Sequence, residues 1–483
     1  MYFQNQTFLV FGLSRSGESA TKFLLKEKAN VYIYDETSNP RIEKLVSQLT
    51  EKGAKTVRKE ELSQISEKCD ALVLSPGIAI DHPLAVAFKR NKKAVIGETE
   101  LCARMLRCPV VAITGTNGKT TSVSMLEKVL QEGGFYAKAC GNIGTPMLDY
   151  LYLNDQKNAV AVAEISSFQL ETLNSLVPHI AVILNITQDH LNRHYNMENY
   201  VFLKGKLLKN LSELEYAVLN YDDETVRALA QKTKAKIIWF SVRERINGGY
   251  YENGELWFNG ERILSEKEFP LEGVHNIENA LACICVAKIF GVDNQTIKNA
   301  RVSFKGIKHR IQEIAVVDGV TYVDDSKGTN VDATIKAIAC MKKETVLLLG
   351  GKHKGYDYAP LFTAISSSRV VHAVLYGENR YALLKSAREQ GFEKLTVCDK
   401  FERAVRIARL LATPKQTVLL SPASASFDEF ASYEERGDAF VEIVESFTKT
   451  KEETTFEGGA LLLPASAIAS QSSAPQNVDL DKE

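Results

Sequence analysis

The run Gly115-Thr116-Asn117-Gly118-Lys119-Thr120-Thr121 has the residue types, in the order, that a nucleotide phosphate needs. Its glycines let backbone N–H groups turn toward an anion. Lys119 can reach the outer phosphates, and the Thr120 hydroxyl can ligate Mg²⁺. The apolar strand candidate Val110–Thr114 runs into this loop and a helical stretch leaves it, so a helix N-terminus faces the same anion. The full Walker spacing would put a glycine at position 113, where this chain has Ile113, so the loop is a shortened relative of that motif. A glycine-rich turn with a surface lysine is the competing reading. The coincidence of strand, Gly-Lys-Thr and helix favours nucleotide binding.

Two polar segments, Glu164-Ile-Ser-Ser-Phe-Gln-Leu-Glu171 and Asn185-Ile-Thr-Gln-Asp-His-Leu-Asn-Arg193, each leave a further apolar strand candidate. In an open α/β sheet, polar residues at strand ends meet the ligand. Glu164 and His190 are therefore candidate metal ligands beside Thr120, although an isolated Glu or His is more often structural. Nearer the start, Gly12-Leu-Ser-Arg-Ser-Gly17 follows the first strand candidate and Asp35 closes the second. This is close to a dinucleotide fingerprint, but Ser14 stands where the middle glycine would let a pyrophosphate approach. A different nucleotide-like ligand, or a plain tight turn, fits as well as NAD. The eight cysteines are scattered with no CxxC pair, which argues against a zinc or redox motif. Cys283 and Cys285 lie in the apolar run Leu281–Ala287 and read as core.

Elements must hold these candidates in place. A length of 483 residues predicts about three domains. The 59 basic side chains nearly cancel 60 acidic ones, which does not suggest a nucleic-acid surface. No apolar run approaches the ~18 residues that cross a bilayer, and Met1–Asn5 lacks the basic start of a secretory signal, so a cytoplasmic protein is expected. Short apolar runs alternate with helical patterns in three cycles. Strand candidates are Phe8–Phe11, Val31–Tyr34, Ala71–Leu74 and Ala94–Ile96, then Val110–Thr114, Val160–Ala163 and Ala181–Leu184. After hairpin-like sequence near 248–260 come Val320–Val323, Thr345–Leu349, Val371–Leu375 and Thr417–Leu420, with helices over Phe401–Leu411 and Phe430–Phe447. The rhythm predicts an α/β fold of three consecutive α/β domains: a Rossmann-like one at 1–97, a central phosphate-loop one at 98–302 and a Rossmann-like one at 303–449. Residues 450–483, rich in Gly, Ala, Ser and Gln, are expected to be a disordered tail.

Taken with Ser75-Pro-Gly77, Gly141-Asn-Ile-Gly144, His275-Asn-Ile-Glu-Asn-Ala280, His309-Arg310, Asp325-Ser-Lys-Gly-Thr-Asn330 and Ser421-Pro-Ala-Ser-Ala-Ser-Phe-Asp428, these motifs resemble the Mur ligases of bacterial cell-wall synthesis over about residues 1–449. The segments at 164–171, 325–330 and 421–428 resemble the D-glutamate-adding members. The resemblance implies an ATP-dependent ligase that joins D-glutamate to UDP-N-acetylmuramoyl-L-alanine through an acyl phosphate, with two Mg²⁺ ions. Its partners would be small molecules only, with no nucleic acid or membrane, and a monomer is expected. Gly115 to Thr121, Asn279, Arg310 and Asp325 match ATP contacts. Thr120, Glu164 and His190 match metal ligands, with a carbamoylated Lys204 beside the second ion; neighbouring Lys206 is the rival for that role. Lys119, Glu164, His190 and Lys204 are the implied catalytic set. Leu13, Ser14, Asp35 and Glu36 match the uridine pocket, and Asn142, Gln169 and His190 the diphosphate and sugar contacts. Lys327, Thr329, Lys354, Ser426, Phe427 and Tyr433 match the D-glutamate site, where Lys352 competes with Lys354. A sibling Mur ligase or a folylpolyglutamate synthetase-like ligase would share the loop but differ at 325–330 and 421–428. A non-catalytic nucleotide-binding regulator would leave Glu164, His190 and Lys204 without use.

Overall fold

Helices cover three successive sheets in the structure, a computed structural model that describes residues 2–454. The first sheet holds β1 (Thr7–Phe11), β2 (Asn30–Tyr34), β3 (Lys55–Thr56), β4 (Ala71–Leu74) and β5 (Ala94–Ile96) in the order β3-β2-β1-β4-β5, all parallel. The order turns back at β1, so the loop after β1 opens into the crevice where such sheets bind ligands.

The second sheet comprises β6 (Val110–Thr114), β7 (Tyr136–Gly141), β8 (Ala159–Glu164), β9 (Ile180–Ile183), β10 (Tyr216–Asn220), β11 (Lys236–Ser241), β12 (Gly248–Glu252), β13 (Glu255–Phe258) and β14 (Glu261–Ser265). Their order is β14-β13-β12-β11-β10-β9-β6-β8-β7. The hairpin-like sequence forms the antiparallel pairs β12/β13 and β13/β14 at one edge. Strand β6 lies between β8 and β9, so the three carboxyl ends deliver the phosphate loop, Glu164 and the 185–193 segment side by side.

The third sheet contains β15 (Gln312–Val317), β16 (Val320–Asp324), β17 (Thr345–Gly350), β18 (Val370–Tyr376), β19 (Leu395–Val397) and β20 (Thr417–Leu420), in the order β15-β16-β20-β17-β18-β19. Neighbouring β16, β20 and β17 release residues 325–330, 421–428 and 350–355 on one rim. The antiparallel edge strand β15 is not among the expected strands. Gln312 and Glu313 are exposed and Val317 is its one buried residue, so it lacks the apolar run of a central strand.

The last helix, expected over Phe430–Phe447, instead spans Tyr433–Thr454. Ser432 Oγ accepts the backbone N–H of Glu435 at 3.2 Å, an N-cap that fixes the later start. The helix also runs past 449, through a Lys/Glu/Thr stretch with no glycine or proline; the rest of the expected tail lies outside the described residues.

One apolar cluster runs unbroken from Phe8 and Val10 through Leu101 and Cys102 to Met147 and Ala163, joining the first sheet to one face of the second. The helix Val274–Ile289 buries Cys283 and Cys285 on the other face. The third sheet has its own apolar clusters. Among the described residues no helix is long and apolar enough to cross a membrane.

Candidate active site

Fully buried β6 ends in the phosphate loop, and the helix Lys119–Glu132 leaves it. Gly118 has φ +87°, and a Cβ there would lie 2.2 Å from Asn279 Oδ1, so only glycine fits. Lys119 folds back over the loop and donates to the carbonyls of Gly115 and Thr116, both at 2.8 Å. Burial lowers its pKa. These two carbonyls hold the ammonium where an outer phosphate would take it.

Thr120 Oγ1 donates to Glu164 Oε2 at 2.8 Å, and Asn142 Nδ2 donates to Glu164 Oε1 at 2.8 Å. Lys204, 1% exposed, donates to Gly115 O at 2.7 Å and stands 4.6 Å from the Tyr200 ring centre. Burial pulls its pKa well below the lysine value, and nearby Lys119 adds to the effect. Lys206 instead points away, to the carbonyl of Leu170. His190 has a left-handed backbone, φ 55°, and burial pushes its pKa down to about 4, so at neutral pH the imidazole is uncharged and can act as a ligand. Among the described residues no three His, Cys, Asp or Glu side chains group to hold a metal unaided. A hard cation here would draw its remaining ligands from phosphate oxygens and water, as Mg²⁺ commonly does.

Two contiguous cavities open beside these groups. One, of about 160 Å³, contains the loop, Glu164 and His190, and Arg310, Lys327, Thr329 and Tyr433, from the segments around the third sheet, close it. The other, of about 320 Å³, has Asn142, His190 and Lys204 on the central side and Thr329, Lys354, Ser426 and Phe427 on the third-domain side. Lys119, His190, Thr329 and Tyr433 line both. Lys327 Nζ donates to the Tyr433 hydroxyl at 2.6 Å, and burial lowers its pKa to about 8. Lys352 is turned outward to Glu378, which leaves Lys354 as the cavity lysine. A small crevice lined by Gly118, Thr121, Asn279 and Arg310 adjoins the loop.

Other candidates stand apart. Asp325 lines none of these cavities; it is fully buried, with Arg310 Nη1 3.2 Å away and Ser421 Oγ donating at 2.7 Å, and burial raises its pKa to about 6. Gln169 is spent locally, its Oε1 closing a capping box with Ser166. Leu13, Ser14, Asp35 and Glu36 gather at the carboxyl ends of β1 and β2, away from these cavities. There Asp35 Oδ2 accepts the Leu13 N–H at 2.6 Å, Ser14 Oγ meets Ser75 Oγ at 3.2 Å, and Glu36 stands 3.3 Å from His82. Ser75 Oγ also donates to the Gly12 carbonyl at 2.6 Å, tying the turn after β1 to the end of β4.

Three family models match this chain: "Mur ligase MurD-like, N-terminal domain" at residues 6–97, "Mur ligase middle domain" at 113–287 and "Mur ligase, glutamate ligase domain" at 309–424. The chain belongs to the Mur ligase family. It is 38% identical to the UDP-N-acetylmuramoylalanine--D-glutamate ligase of Pelotomaculum thermopropionicum, over 92% of this chain and 99% of that one. Against the same-named ligase of Caldanaerobacter subterraneus it is 37% identical, again covering 92% and 99%. The fold is shared with the UDP-N-acetylmuramate-alanine ligase of Thermotoga maritima, at TM-score 0.58, 17% identity and coverage of 91% and 99%. As a Mur ligase the chain is an ATP-dependent ligase.

Sequence reading did not give the contacts that join the central and third domains over the loop. Asn117 Nδ2 donates to Asp332 Oδ2 at 2.6 Å, and Asn330 Nδ2 donates to Asn117 Oδ1 at 3.2 Å and to Asp189 Oδ2 at 3.1 Å. Asp189 and Asn330 lie inside motifs already singled out, each beside a named candidate. Asp332 and Tyr356 carry no such signal, because their hydrogen bonds to Asn117 and to Asp189 form only across the docked domains.

Proposed function

We propose that this chain adds D-glutamate to UDP-N-acetylmuramoyl-L-alanine at the expense of ATP, in cytoplasmic peptidoglycan precursor synthesis. The observation that carries the reading is the single pair of contiguous cavities in which the phosphate loop, Glu164, His190 and Lys204 face Lys327, Thr329, Lys354 and Ser426. The names of the relatives at 37–38% identity support the same substrates. The domain limits 1–97, 98–302 and 303–449 and a monomeric enzyme belong to the same proposal.

A carboxylate resists attack by an amine until one oxygen becomes a good leaving group. The L-alanyl carboxylate attacks the γ-phosphorus of ATP; a new O–P bond forms and the bond to ADP breaks. Lys119 leaves its two loop carbonyls to meet the transferring phosphoryl group. The D-glutamate amine then attacks the acyl carbon, forming C–N, breaking C–O and releasing phosphate and a proton. Lys327 and Lys354 balance the two carboxylates of the incoming amino acid, while Thr329 and Ser426 supply hydroxyl donors. Asn279 and Arg310 would border the adenosine end, and Asp325 would hold Arg310. Leu13, Ser14, Asp35 and Glu36 would receive the uridine end, with Asn142 toward the diphosphate.

The donor set fits Mg²⁺, since Thr120 and Glu164 offer adjacent hard oxygens and His190 a neutral nitrogen. Bound there, the ions would neutralise phosphate charge. Lys204, kept toward its neutral amine by burial, is the form that adds CO₂, and a carbamate would turn a buried cation into an anion facing the second ion.

Phosphate release from ATP, measured with UDP-N-acetylmuramoyl-L-alanine and one amino acid at a time, tests the substrate assignment. Turnover is expected with D-glutamate. Turnover with meso-diaminopimelate or L-lysine but not D-glutamate overturns it.

A further inference from the structure

The Asp189 carboxylate is 5% exposed and belongs to the central domain, yet much of its support comes from the third. Its Oδ1 accepts the Tyr356 hydroxyl at 2.5 Å and the His190 backbone N–H at 2.8 Å. Its Oδ2 accepts Asn330 Nδ2 at 3.1 Å, and Lys354 Nζ stands 3.8 Å from Oδ1.

His190 sits at φ 55°, a left-handed backbone that a non-glycine residue keeps only where its surroundings enforce it. The carboxylate that caps its N–H is the one the third domain grips. Asn330 follows Thr329, and Tyr356 lies two residues beyond Lys354, so two of the third-domain segments that line the cavity also end on Asp189.

We propose that Tyr356 is a positioning residue, a latch that acts through Asp189 to seat His190 only when the third domain is docked with its amino-acid subsite formed. This rests on the ligase reading above. A docked third domain also keeps water from the acyl phosphate, so the latch ties activation of the carboxylate to the presence of the amine. Tyr356 touches neither substrate nor metal in this scheme. Its ring packs in the apolar cluster of the third sheet, so the hydroxyl is the part that carries the coupling.

Y356F removes that hydroxyl and keeps the ring. Phosphate release and amide formation are measured in parallel for wild type and Y356F, with ATP, UDP-N-acetylmuramoyl-L-alanine and D-glutamate, and melting temperature is followed as a check on folding. Amide formation is expected to fall about tenfold or more, the usual effect of losing a hydrogen bond to a charged group. The decisive readout is the ratio of phosphate released to amide formed, expected to rise at least about twofold as water captures acyl phosphate. A merely structural loss would lower both products together. A wild-type ratio in Y356F, at any rate of turnover, overturns the latch. Absence of amide from the wild-type enzyme would instead overturn the ligase reading on which the latch depends.

Discussion

Among the described residues Lys204 forms no ion pair with a carboxylate: it donates to one backbone carbonyl and faces the Tyr200 ring, deep in the cavity wall. A buried ammonium held so sparingly is costly, and the depressed pKa expresses that cost. The proposed carbamoylation would resolve it, because an anion there would lie near the Lys119 ammonium. K204A is therefore expected to lose about a hundredfold or more in turnover, the scale of one preorganised electrostatic contact. Millimolar formate or acetate should restore part of it by standing in for the carbamate; full activity in K204A without additive would remove this lysine from the site. The family resemblance pointed to Lys204 with Lys206 as its rival, and burial separates the two, just as the outward ion pair of Lys352 separates that residue from Lys354. Residue types alone did not reveal Asp189 or Tyr356, since a carboxylate and a phenol become informative when the fold brings them together from positions 167 apart.

At the scale of elements, the phosphate loop is shaped by what lies behind it. Gly118 adopts φ +87° and backs directly onto Asn279 of the helix Val274–Ile289, so loop and helix fix each other's position. In G118A the methyl group would collide with that amide and force a conformation that costs an L-residue roughly 1–2 kcal/mol. A raised KM for ATP, by about tenfold, is expected with a lowered melting temperature; steady-state ATP titration and a thermal melt check both. An unchanged KM would mean that the loop tolerates the displacement. This element was legible because strand, glycine turn and helix are local and each has a sequence signature. Central buried strands such as β6, β16 and β17 were legible for the same reason, being continuous apolar runs. Edge strand β15 was not, since an edge needs only one apolar face and its register comes from its antiparallel partner.

On the scale of the whole molecule, the first and second sheets share one apolar core, whereas the third meets the loop through polar side chains such as Asn117, Asp332 and Asn330. The seam of this shared core contains a buried carboxyl group, Glu98. Glu98 opens the helix Glu98–Ala103 between the two sheets, 3% exposed, where Oε1 accepts the Leu148 N–H at 2.6 Å. Next to it Asp149 receives Ser19 Oγ at 2.6 Å, linking the first domain's helix to the same spot. Burial, with Asp149 adding repulsion, raises the Glu98 pKa from 4.5 to about 7. The folded state thus holds this proton more tightly than the unfolded chain, so the associated stability is full below about pH 4.5 and is lost as pH rises through about 7. A shift of that size corresponds to roughly 3 kcal/mol at most. E98Q keeps an oxygen for Leu148 and never ionises. Its melting temperature relative to wild type is expected to improve steadily from pH 5 to pH 8 and then level off. A difference that stays constant across that range would show that Glu98 ionises freely at the seam and that the junction of the first two domains is open to water there.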